Sequence, residues 1–153
     1  NFTTILAAHL QKISGVTCAE AVAGEVVTPR RIYVAPGDWH MTVVADGDKK
    51  VIQLDQRAPE NFCRPAVDPM FRSIAKCYGS AALAVVLTGM GSDGTRGGRD
   101  LADAGGSVMA QDEATSVVWG MPGAAATAGV CCGVYPLEEI GPVLLRTITG
   151  ASK

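Results

Sequence analysis

The chain has 153 residues, 48% of them apolar, and its 13 basic against 15 acidic residues leave a net charge of −2. That length and apolar content suit one globular domain over residues 1–153. No basic run exceeds Arg30-Arg31 and Lys49-Lys50, which speaks against a nucleic-acid partner, and no apolar stretch is long and continuous enough for membrane insertion. The expectation is a soluble, cytoplasmic protein.

The cysteines Cys18, Cys63, Cys77, Cys131 and Cys132 are odd in number and contain no C-x-x-C pair, so they read as reduced, mostly packed thiols. His9 and His40 are the two histidines, too few for a multi-His metal site. No metal or cofactor is expected.

In chain order, residues 2–13 read as a helix, with Phe2, Leu6, Leu10 and Ile13 on one face and Gly15 as its terminating glycine. A chain that opens directly in a helix and without methionine is expected to lack preceding sequence. Residues 31–37 read as a short strand closed by Pro36-Gly37. Residues 41–45 and 50–54 flank Asp46-Gly47-Asp48 as a hairpin. Asp68 as N-cap and Pro69 in the first helical position predict a helix over 68–78. A strand over 81–87, a helix over 99–104, a strand over 106–111, a helix over 122–128, a strand at 131–135 and a helix over 137–149 follow. Alternating strands and helices predict an α/β fold: a three-layer, doubly wound, mostly parallel sheet with an appended antiparallel hairpin.

Chemistry concentrates in Val85-Val-Leu-Thr-Gly-Met-Gly-Ser-Asp-Gly-Thr-Arg-Gly-Gly98, a buried strand breaking into a glycine-dense loop around Asp93. Open α/β sheets place their sites at such strand ends. Three readings compete. Gly89, Gly91 and Gly94 spell G-x-G-x-x-G with Asp112 about twenty residues on, the pattern of a dinucleotide-binding module, although Asp93 among the loop amides would repel a pyrophosphate. Alternatively the glycines make a tight turn and Asp93 caps the following helix. In the third reading Asp93 orients a catalytic histidine and a loop amide near Met90 supplies an oxyanion donor, which requires a serine and a histidine. His40, in a loop after Pro36-Gly37, is better placed than His9 within a helix, but neither is compelling. Neither Ser92 nor Ser116 lies in a G-x-S-x-G elbow.

Six blocks carry a further signal: Val34-Ala-Pro-Gly-Asp-Trp-His-Met41, Arg64-Pro-Ala-Val-Asp-Pro-Met-Phe71, Leu87-Thr-Gly-Met-Gly-Ser-Asp-Gly94, Ala104-Gly-Gly106, Ala110-Gln-Asp-Glu-Ala-Thr-Ser116 and Val118-Trp-Gly-Met-Pro122. In order and spacing the chain resembles the catalytic domain of the chemotaxis protein-glutamate methylesterases, the CheB family. The resemblance implies a Ser-His-Asp hydrolase of chemotaxis and two-component signalling. It cleaves methyl-glutamate esters on chemoreceptor helices, deamidates glutamines by the same acyl chemistry, and usually follows a phosphorylatable receiver domain. It places the triad aspartate at Asp93 and an oxyanion amide at Met90, and gives His40 no catalytic role. The family's serine and histidine motifs both precede the helix matching residues 2–13, so this polypeptide alone is expected to be inactive. A non-catalytic interaction domain remains the other alternative.

Overall fold

A computed structural model describes residues 1–150. Helix α1, Phe2–Ser14, ends where Gly15 turns left-handed, with φ 71°, and returns its N–H to Gln11. It packs on strand β1, Thr17–Glu20, which runs parallel to β2, Arg31–Val34. Polar bonds fix this contact: the Thr3 and Thr4 hydroxyls donate to the Glu20 carboxylate, and Cys18 N–H donates to Gln11 Oε1 at 3.0 Å. β1 has no counterpart among the expected elements. The apolar face expected on α1 is also revised: Ala7 is its buried residue, while Phe2 and Ile13 stand exposed.

Strands β3, His40–Asp46, and β4, Lys49–Asp55, form the expected hairpin, paired antiparallel from His40↔Asp55 to Asp46↔Lys49. Gly47 and Asp48 make its turn, with Gly47 at φ 63°. Helix α2 spans Val67–Tyr78. Three parallel strands follow in the order β5, Leu83–Val86; β6, Ser107–Gln111; and β7, Gly133–Tyr135. Helices α3, Thr95–Asp103, and α4, Met121–Thr127, are the crossovers, and α5, Leu137–Thr149, closes the described chain. The result is the expected α/β class, mostly parallel with one antiparallel hairpin. None of the helices among the described residues is long and apolar enough to cross a membrane.

Two apolar clusters lie on α2. One gathers Phe71 and Ala75 with Val86, Leu101, Val108 and Ala125 from the parallel sheet and its helices. The other gathers Met41, Val43 and Ile52 of the hairpin with Ala21. Met70 and Ile74 pack against both. Helix α3 lies so close to α2 that a Cβ on Gly97 would stand 2.7 Å from Phe71 Cβ and 2.8 Å from the Asp68 carbonyl oxygen.

The thiols divide more evenly than expected: Cys18 is buried, Cys77 and Cys131 are half-buried, and Cys63 and Cys132 are exposed.

Candidate active site

The segment from Thr88 to Gly94 leaves the C-terminal end of β5 and is sewn to residues 115–121. Thr88 N–H donates to Gln111 Oε1 at 2.8 Å, and the Gln111 amide nitrogen donates to the Thr115 carbonyl at 2.8 Å. Gly89 N–H and the Thr88 hydroxyl both donate to the Val118 carbonyl at 3.0 Å, and Met121 N–H donates to the Gly89 carbonyl at 2.8 Å. Gly120 must be glycine here, because a Cβ would come within 2.7 Å of the Gly89 oxygen. Gln111 is 1% exposed, so its amide is a structural brace between β6 and the loop. Met90 sits at the outer bend, 83% exposed. Among the described residues its N–H donates to no protein acceptor.

Asp93 is 6% exposed and accepts four N–H bonds. Oδ1 takes Asn61 Nδ2 at 2.8 Å, Asp68 N at 3.0 Å and its neighbour Gly94 N at 3.0 Å. Oδ2 takes Val67 N at 2.6 Å. Val67 and Asp68 open α2, so Asp93 caps that helix, and the helix dipole complements its charge. Asp68, 1% exposed, returns the favour: its Oδ1 accepts Gly94 N at 3.0 Å and Gly97 N at 2.8 Å at the start of α3. Asn61 Nδ2 reaches Asp68 Oδ2 at 2.9 Å as well, bridging the two carboxylates.

This geometry corrects several expectations. Asp68 is not the N-cap of its own helix; Ala66 holds that position without a side-chain cap, and Asp93 supplies the acceptor from 25 residues away. Asp93 in turn caps α2 rather than the helix that follows it. Helix α3 starts at Thr95, earlier than expected, because its first amides are satisfied by Asp68 from across the fold. The dinucleotide reading fails on the same bonds. The Gly94 and Gly97 amides that a pyrophosphate would need are already held by carboxylates.

Neither histidine contacts Asp93. His40 is 1% exposed, shares a hydrogen bond through Nε2 with the Ala58 carbonyl at 3.0 Å, and accepts Ala66 N–H at Nδ1 at 3.3 Å. It pins both ends of the 58–66 loop. His9 is exposed on α1, Ser92 is exposed, and the Ser116 hydroxyl donates to the Asp112 carbonyl at 2.6 Å. The reading of the loop missed Asn61, Asp68 and Gln111. Only Asp68 carried a signal, an acid beside proline, and that signal was ambiguous between a local and a distant role.

The CheB methylesterase family model matches residues 1–144. The chain belongs to the CheB methylesterase family. It is 56% identical over 146 residues to protein-glutamate methylesterase/protein-glutamine glutaminase 1 of Rhodospirillum rubrum, covering 95% of this chain and 38% of that protein. With a protein-glutamate methylesterase/protein-glutamine glutaminase of Rhodopseudomonas palustris it shares 60% identity over 149 residues, covering 97% of this chain and 39% of the relative. This CheB-family chain thus spans under two-fifths of the curated relatives' length. The crystal structure of the Thermotoga maritima CheB methylesterase catalytic domain superposes with a TM-score of 0.93 at 40% identity, covering 96% of this chain and 78% of that one.

Proposed function

We propose that residues 1–153 belong to a single catalytic domain of a protein-glutamate methylesterase, with Asp93 as the acid of a Ser-His-Asp triad and the Met90 amide as an oxyanion donor. The observation that carries this reading is the state of Asp93. A carboxylate offers about four lone-pair directions. Three bonds saturate Oδ1 and fix the plane of the group, whereas Oδ2 accepts only Val67 N–H among the described residues. Oδ2 therefore retains a direction for one further donor, such as an imidazole N–H. A buried, four-fold anchored carboxylate at a strand end suits the orienting role better than nucleophilic attack.

In this mechanism the serine and histidine come from the motifs that precede α1 in family order. The serine oxygen attacks the ester carbonyl of a methylated glutamate, and its proton passes to the imidazole, which Asp93 orients. The resulting oxyanion receives the Met90 N–H, and methanol departs carrying the proton back from the imidazole. Water then hydrolyses the acyl-enzyme by the same relay to leave glutamate. A glutamine side chain follows the same route with ammonia as leaving group, in keeping with the double name of the relatives. The substrates on this reading are methylated chemoreceptor helices in the cytoplasm, and a receiver domain regulates access in the full-length protein.

The test is methanol release from a methylated chemoreceptor fragment by the full-length protein. Asp93→Asn is expected to lower kcat by about four orders of magnitude. A fall of less than tenfold would remove Asp93 from the triad.

A further inference from the structure

Residues 60–63 form a turn closed by reciprocal bonds, Glu60 N–H to the Cys63 carbonyl at 3.0 Å and Cys63 N–H to the Glu60 carbonyl at 2.9 Å. Both central residues are left-handed, Asn61 at φ 52° and Phe62 at φ 65°. That is the φ pattern of a type I′ turn, whose second central position ordinarily goes to glycine. A phenylalanine there is strained, and such strain persists only where the surroundings over-determine it.

The surroundings do so here. The Asn61 amide is tied to both Asp93 and Asp68, the Glu60 carboxylate takes two bonds from Arg72 at 2.9 and 2.6 Å, and Arg64 grips Asp38 at 2.7 and 3.0 Å. Among the described residues the Phe62 side chain gains no packing, the residue being 103% exposed. A fully exposed aromatic ring on a rigidly held backbone is the kind of side chain that anchors protein contacts at low entropic cost, since only its two torsions need fixing. It stands one residue from the amide that holds Asp93. Two other apolar side chains of the loop and the segment sewn to it, Met90 and Val117, are also exposed, at 83% and 91%.

We propose that Phe62 is a specificity-determining residue whose ring packs against an apolar side chain of the protein substrate beside the methyl-glutamate. The proposal rests on the esterase reading above. The strain makes the test clean, because Phe62→Gly relieves the left-handed φ and leaves folding intact.

The experiment compares the full-length protein with its Phe62→Gly and Phe62→Trp variants, measuring affinity for a glutamate-methylated chemoreceptor cytoplasmic fragment alongside methanol release. Phe62→Gly is expected to weaken binding and raise KM by about tenfold, with an unchanged or higher Tm, while Phe62→Trp stays near the parent. Binding by Phe62→Gly within twofold of the parent, or a loss confined to kcat, overturns the proposal. Phe62-dependent binding without any methanol release by the parent leaves the contact standing and removes the esterase reading. Neither binding nor release removes both.

Discussion

Asp93 serves stability through its cap on α2 and, on the proposed mechanism, chemistry through the same carboxylate. Its carboxylate satisfies the first amides of α2, so Asp93→Asn puts an amide donor where N–H groups already point. The expected cost is about 2 kcal/mol of folding stability, read from the denaturant midpoint, in addition to the kinetic loss. The Glu60–Arg72 pair is a second residue-scale device. Hydrogen bonds from Arg72 hold the Glu60 carboxyl below its ordinary value of 4.5. Because the folded-state value is depressed, the pair's contribution is complete above pH 4.5 and disappears as pH falls through the lower folded value. Both side chains are more than a third exposed, which limits the contribution to about 0.5 kcal/mol. Glu60→Gln should therefore lower Tm slightly at neutral pH and converge with the parent in acid, as a pH series of melts would show. A Tm deficit independent of pH would exclude the ion pair as its cause.

At the scale of elements, α2 and α3 are clasped end to end by exchanged caps, Asp93 on α2 and Asp68 on α3, and by the close approach at Gly97. Gly97→Ala would drive a methyl group into Phe71 and the Asp68 backbone. Overpacking of this kind is expected to cost about 2–3 kcal/mol and to shift the Asp68 carboxylate off the α3 amides. Denaturant unfolding measures the first effect, and slower turnover by the full-length variant reports the second. An alanine variant as stable as the parent would mean that the helices separate freely. The elements themselves were largely legible. Hydrophobic patterning located α1, the hairpin, α2 and the β5–β7 succession to within a few residues. Strand β1 escaped because four residues with one fully buried side chain carry too little pattern, and its identity depends on pairing with β2.

At the scale of the molecule, α2 is the shared wall between the parallel sheet and the hairpin, through Met70 and Ile74. The two regions should therefore unfold as one cooperative unit. Ile74→Ala is expected to cost about 2–4 kcal/mol and to displace both regions equally. Trp39 beside the hairpin and Trp119 beside the Asp93 loop are natural reporters, and single-tryptophan variants should give coincident transitions. Separated midpoints would show two independent units. Sequence alone determined the α/β class, the family and the loop around Asp93, because periodicity, turn chemistry and motif order are local or co-linear properties of the chain. Tertiary structure alone decided what Asp93 and Asp68 bind, why His40 is a loop pin, and that Asn61 and Gln111 brace the site. Those facts depend chiefly on hydrogen bonds between residues far apart in sequence, 18 residues for His40 with Ala58 and 32 for Asn61 with Asp93, which no local pattern records. A buried carboxylate takes whichever amides the packed helices present to it, and that choice is made only when the chain closes on itself.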